Sequence, residues 1–238
     1  MQKSIVLSTL VTVFLLSGCL RPTVTGSGNV TDKQEELTGF NQLQVSNTFK
    51  VKISQADKYR VVVHLDDNLY PYLRLKQTGQ TLSIGMAPNR SYEVKRNSMV
   101  VEISMPELLS LDMSGASSAE IIGFDSAKPL SIEASGASKV HGSIKAGSLS
   151  ADLSGASSLE LKGSAQSLNL EASGASDAEL ADFPVAQASA SLSGASDATV
   201  QVTGKLDINT SGASTLAYLG EPTLGTTHTS GSSSIRKK

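Results

Sequence analysis

The sequence predicts an all-β protein: a single-stranded parallel β-helix, right-handed coiling favoured, with irregular β coils in its N-terminal part. Three observations carry this. The tetrapeptide Ser114-Gly115-Ala116-Ser117 returns with its first serine at Ser135, Ser154, Ser173, Ser193 and Ser211, and in degenerate form as Ser230-Gly231-Ser232-Ser233, so successive starts lie 18 to 21 residues apart. A fixed period in this range marks a solenoid whose repeats are coils stacked one on the next. Before each Ser-Gly, apolar and polar residues alternate, as in Leu168-Asn169-Leu170-Glu171-Ala172. Period two is a strand with one dry and one wet face. Finally, the two inner positions nearest the turn trade size: Ile132/Ala134, Ala151/Leu153, Leu170/Ala172, Ala190/Leu192 and Ile208/Thr210. A narrow interior filled to crystal-like density requires that exchange within a layer.

The aligned inner columns run Leu109, Leu130, Leu149, Leu168, Ala188, Leu206 and Leu111, Ile132, Ala151, Leu170, Ala190, Ile208. After each Ser-Gly-Ala comes a second short strand, such as Leu159-Glu160-Leu161 or Ala198-Thr199-Val200. Glycine at the corner allows a positive φ, and small neighbours let like corners stack closely. The corner serines suggest a hydroxyl ladder along that edge. Parallel crossovers are overwhelmingly right-handed, and coils about 4.8 Å apart would make seven of them roughly 30 Å long.

The order from the N-terminus is a signal peptide over 1–18, a tether over 19–29 and a β-helix domain over 30–238, irregular over 30–105 and regular over 106–238. Lys3, the apolar run from Ile5 to Leu16 and the small residues after it read as an export signal too short to span a bilayer. Leu16-Ser17-Gly18-Cys19 looks like the lipobox of bacterial lipoproteins, and Cys19 is the one cysteine of the chain. This predicts a covalent lipid on Cys19 and a membrane link through it, since multiple acyl chains anchor stably. Leu20 rather than an acid after Cys19 favours the outer membrane, by resemblance to Gram-negative lipoproteins. Within 30–105, Phe49/Val51/Ile53, Val61/Val63/Leu65 and Met99/Val101/Ile103/Met105 predict strands, and Gln77-Thr78-Gly79-Gln80 a hairpin turn. These strands fit irregular coils capping the first regular rung, whose open edge would otherwise invite pairing; a small separate sheet is the alternative.

Charge is divided unequally along the chain. Residues 19–103 hold eleven Lys/Arg against eight Asp/Glu, and residues 104–235 hold five against fourteen. A coil body with net charge −9 is a poor match for nucleic acid, and anionic lipid would repel it.

Gly39-Phe40-Asn41-Gln42-Leu43-Gln44-Val45, Phe49-Lys50-Val51-Lys52-Ile53 and Asp66-Asp67-Asn68-Leu69, together with the repeated Ser-Gly-Ala-Ser, resemble the autotransporter-adhesin head GIN domain family. This is a domain of unknown function in bacterial envelope proteins. The resemblance covers roughly residues 30–220 and implies a β-helical fold and an adhesin-like role. It brings no catalytic residues.

Chemistry is sparse. The outward acids Asp112, Glu133, Asp152 and Glu171 form one column whose neighbours, stacked about 5 Å apart, repel by about 3 kcal/mol at an effective dielectric near 20. They read first as a solvated face, and in the sharper alternative as a strip for Ca²⁺, which takes clustered carboxylate oxygens. No other cofactor is implied. His64, His141 and His228 lack metal-ligand spacing, and no nucleophile elbow or phosphate loop is present. Parallel β-helices that cleave polysaccharides need a groove of acids with a basic partner and aromatic platforms. Ser114 to Ile235 offers only Phe124, Phe183 and Tyr218 as aromatics and no Arg. The sequence therefore predicts a non-enzymatic, lipid-anchored envelope protein presenting a rigid β-helix to a protein or glycan partner. A polysaccharide-acting enzyme and a periplasmic sensor or assembly accessory are the alternatives.

Overall fold

A computed structural model of the chain describes residues 22–94 and 98–238. Its strands, apart from one short pair, join into a single continuous sheet wound into a parallel β-helix. One wall contains Gln42–Val45, Ser110–Met113 and Pro129–Ala134, and continues through the later halves of Lys139–Leu153, Ser158–Ala172, Asp177–Leu192 and Asp197–Thr210. Beyond the corner, the second wall contains Lys50–Gln55, Ser118–Asp125 and the earlier halves of the same long strands.

Equivalent positions sit rung over rung. Leu130 pairs with Leu149, Leu149 with Leu168, Leu168 with Ala188 and Ala188 with Leu206, all buried. Leu109, assigned by period to the head of this column, is only half-buried, and Leu108 beside it enters the core. The size trade extends further than the layer. Along one column Ile132, Ala151, Leu170, Ala190 and Ile208 alternate large with small, and the neighbouring column Ala134, Leu153, Ala172, Leu192, Thr210 runs in antiphase. Leu153 and Leu170 thus each lie over and under an alanine, the tightest way to fill a tube whose rungs are fixed about 4.8 Å apart.

The corners are built from backbone. Gly115, Gly136, Gly155, Gly174, Gly194, Gly212 and Gly231 all have φ between 73° and 77°. The following residue donates its N–H at 2.7 Å to the carbonyl of the corner one rung below, for example Ala156 to Gly136 and Ala175 to Gly155. The expected hydroxyl ladder is largely replaced by local bonds. The last serine of each corner donates back to the carbonyl of the first, as Ser138 does to Ser135 at 2.7 Å and Ser176 to Ser173 at 2.8 Å, and in every corner but the last it is buried. Among the described residues, Ser117 and Ser138 are the one pair of corner serines whose hydroxyls face each other, 3.4 Å apart. A buried hydroxyl needs a partner, and the carbonyl three residues back is nearer than the next rung.

Two further rungs precede the regular ones, in an order that differs from the chain's. Residues 42–55 lie directly against the first regular coil, and strands Thr81–Met86 and Val100–Met105 lie beneath 42–55. The chain therefore makes its second rung first, its outermost rung next, and then crosses over to begin the regular series. Asn47, φ 70°, occupies the corner-glycine place, and its carbonyl accepts the Ala116 N–H at 2.7 Å. Asparagine tolerates this left-handed conformation better than other side chains. Beyond the outermost rung the expected hairpin forms, Leu73–Thr78 antiparallel to Thr81–Met86. Arg60–Asp66 runs antiparallel to Val100–Met105, and Val30–Glu35 to Arg60–Asp66. Antiparallel strands close an end that parallel coils would leave open.

Much of the stretch expected to be tether is fixed in place. Thr23–Thr25 pairs in parallel with Ser91–Glu93. The Gly28 N–H donates to the buried Asp66 carboxylate at 2.7 Å, the Ser27 hydroxyl and the Asn29 amide donate to Asp67 at 2.6 and 2.8 Å, and the Asn68 amide donates to the Thr25 carbonyl at 2.9 Å. These bonds explain the Asp66-Asp67-Asn68 run: it clamps the incoming chain to the closed end of the helix.

Candidate functional site

The outward faces carry whatever chemistry the coil offers, because the inward ones are filled with aliphatic side chains. On the first wall, Ser131, Ser150, Asn169, Ser189 and Asp207 form one in-register column. With Ser148, Ser167 and Gln187 beside it, this column from Ser150 to Asp207 lines an open groove of about 380 Å³. An adjoining groove is lined by Asp152, Glu171, Ser191 and Asn209. Hydroxyls, amides and acids at rung spacing form a flat, hydrogen-bonding surface with no aromatic platform.

The structure brings the sequence-predicted acids together as a line. Asp112 pairs with Glu133, Glu133 with Asp152, and Asp152 with Glu171. Gln44, one rung below, donates its amide to Asp112 at 3.0 Å. The line continues as Ser191, Asn209 and His228. Glu133, Asp152 and Glu171 are exposed, and among the described residues no three His, Cys, Asp or Glu side chains converge on a point that could hold a metal ion. Like charges directly opposite in a ladder repel, and water is where these side chains go.

A second acidic patch went unnoticed in the sequence. On the other wall Asp177 pairs with Asp197, and Glu160 with Glu179. Burial first, then the charges of Glu179 and Asp197, pushes the Asp177 carboxyl above the ordinary aspartate range. The histidines fall in separate places: His64 contacts Asp32 at 2.6 Å on the closing strands, His141 pairs between Glu120 and Glu160, and His228 lies in the last rung. No histidine meets a serine, so nothing resembles a nucleophilic triad among the described residues.

Cationic and aromatic side chains gather instead at the closed end. The Arg90 guanidinium lies 5.2 Å from the centre of the Tyr72 ring, and the Tyr72 and Tyr92 rings are 5.9 Å apart. Arg74 and Lys76 are exposed on the hairpin next to them. Burial pushes the Tyr92 phenol up, while the charges of Arg90 and then Arg74 act to lower it. The cationic balance of residues 19–103 was the sequence signal for this cluster, but nothing in the pattern showed which of those charges would meet. Cys19 and the predicted signal segment lie outside the described residues. Among the described residues no helix is long and apolar enough to cross a membrane.

The same coil recurs in solved structures. A "Putative adhesin" from Bacteroides fragilis NCTC 9343 superposes with a TM-score of 0.83 at 19% identity, over 90% of this chain and 100% of that one. A "Putative lipid binding protein" from Parabacteroides distasonis ATCC 8503 superposes at 0.75 with 21% identity, over 91% and 99%. A second "putative adhesin" from the same organism superposes at 0.74 with 18% identity, over 91% and 100%. At these identities the likeness is one of fold. No curated protein matches the sequence. The model of the family described as "Putative auto-transporter adhesin, head GIN domain" matches residues 39–222, which takes in the out-of-order rungs and nearly all the regular coils; the chain belongs to that family.

Proposed function

We propose that the protein is a lipid-anchored component of the bacterial cell envelope that presents its β-helix as a rigid, non-catalytic surface for adhesion, scaffolding or envelope interaction. The observation that carries this reading is the pairing of a lipobox-like Leu16-Ser17-Gly18-Cys19 with a coil whose exposed faces are regular columns and shallow grooves. Adhesion by such a wall needs rigidity, which the ladder of corners and the filled core supply, and repeated hydrogen-bonding groups, which the outward columns supply. The family's description and two of the neighbours' names point to adhesion, and the third neighbour is named for lipid binding. The first-wall grooves, lined by Ser, Asn and Gln with Asp152, Glu171, Lys205 and Asp207 among them, fit a glycan or a polar protein surface. The negative coil body disfavours nucleic acid.

Cys19→Ser removes the acylated thiol. Membrane fractionation is expected to show the variant released from membranes or held as an unprocessed precursor, where the parent protein is membrane-bound. Processing and membrane association equal to the parent's would contradict the lipid anchor. Proximity labelling in intact cells then identifies the partner that the exposed wall meets, with the outer membrane as the favoured site.

A further inference from the structure

The clamped N-terminal segment leaves very little slack between the predicted lipid and the folded coil. Thr23 pairs with Ser91, so Pro22 is fixed beside the hairpin at the closed end. Cys19 is three residues earlier, and an extended chain covers at most about 3.6 Å per residue, so the two lie within about 11 Å of each other. A lipid on Cys19 thus holds the closed end against the headgroup layer and does not let the helix drift from it.

The surface beside that attachment point differs from the rest of the molecule. Residues 73–98 carry five Lys/Arg and a single acid, Glu93. Three of those cations, Arg74, Lys76 and Arg90, are exposed, and no carboxylate among the described residues pairs with any of them within 4.0 Å. Tyr72 and Tyr92 are half-buried between them, and Tyr92 is the ladder partner of Val24 on the clamped segment. Tyrosine and arginine together suit the interface, where an amphipathic ring meets phosphate. The coils beyond are strongly acidic. The charge therefore runs from basic at the lipid-proximal end to acidic in the coils beyond, the sense that an anionic bilayer would orient, and only the far tip, with Arg236, Lys237 and Lys238, turns basic again.

We propose that the face formed by Tyr72, Arg74, Lys76, Arg90 and Tyr92 docks on the anionic phospholipid headgroups of the membrane that holds the anchor, pinning the closed end to the bilayer and turning the acidic coils away. The inference rests on the lipid-anchor reading. Docking fixes which faces a partner can reach, because the wall grooves then stand off the membrane on a short, rigid base.

The test uses the mature lipidated chain. The sequence contains no tryptophan, so Pro88→Trp, in the exposed turn next to Arg90, supplies a lone indole, and Tyr218→Trp supplies one near the other end. The chain is mixed with phosphatidylcholine vesicles, with or without phosphatidylglycerol, carrying brominated acyl chains as quenchers. The expected result is quenching at position 88 with phosphatidylglycerol, much less without it, and none at position 218. Raised salt should reverse it, and Arg74→Glu with Arg90→Glu should lower the docking equilibrium constant by at least about 25-fold, roughly fivefold for each cation removed, with an unchanged melting temperature. Equal quenching in both vesicles, or quenching that survives the charge reversal, overturns the docking face while leaving the anchor intact. A chain that sediments with neither vesicle overturns both readings. A chain that sediments only with phosphatidylglycerol, and is quenched at 88, overturns the anchor and supports the face.

Discussion

Gly155→Ala lowers the unfolding free energy by roughly 3 kcal/mol, read from urea denaturation. Gly155 has φ 74°, a conformation that costs an L side chain about 1–2 kcal/mol. An added Cβ would also come within 2.6 Å of the Gly136 carbonyl oxygen, the atom that accepts the Ala156 N–H. Backbone cannot swing aside as a long side chain can, so the rungs must part and that hydrogen bond, worth about 1 kcal/mol, weakens. Gly123→Ala is the control. Its φ is 69°, yet nothing lies within 4 Å of the added atom, so it should lose only the conformational cost. Equal losses at the two positions would contradict the close stacking of corners.

Leu170→Ala loses about 2–5 kcal/mol, towards the upper end of that range. Leu170 is fully buried, with Ala151 below it, Ala190 above it and Ala172 beside it in its own layer. None of these alanines is long enough to collapse into the hole, and the backbone ladder keeps the rungs from closing. A loss under about half a kcal/mol would contradict the burial. Leu170→Ala with Ala172→Leu keeps the volume of the layer but stacks Leu153, the new leucine and Leu192 in one column. It should recover only part of the loss, because overpacking is destabilising too. Full recovery would show that layer volume matters and the antiphase columns do not.

The regular coils were legible because each one solves the same packing problem. A repeated Ser-Gly-Ala-Ser announces the corner, and alternation announces the wall. The size trade was visible within a layer, although its continuation along the axis needed the register. Legibility failed where the repeat is disguised. Ser46-Asn47-Thr48-Phe49 is a corner in the same register as Ser114-Gly115-Ala116-Ser117, but asparagine replaces glycine and buried Phe49 replaces the buried serine. The strands Phe49 to Ile53 and Met99 to Met105 were readable as strands. Their order in space was not, because period two identifies a strand's faces and says nothing of its neighbour.

The surface divides in the same way. The acid line Asp112, Glu133, Asp152 and Glu171 followed from the period, and the structure lines those residues up without gathering them. The Arg74, Arg90, Tyr72 and Tyr92 cluster did not follow, because its members come from both sides of a hairpin and an irregular turn. The tether expected over 19–29 fits the Pro, Gly, Ser and Thr of its local composition. The clamp depends on distant Asp66, Asp67 and Asn68, so local composition could not reveal it.

The central claim is that equivalent residues stack in register, one rung per repeat, and a single distance tests it. Nitroxide labels at Ser110→Cys and Ser189→Cys, in a Cys19→Ser chain, sit on one ladder four pairings apart, through Ser131, Ser150 and Asn169. Pulsed electron resonance should give a separation centred near 19 Å, four steps of about 4.8 Å. A separation near twice that value, as two strands per repeat laid side by side in a flat meander would give, contradicts the coil and everything built on it.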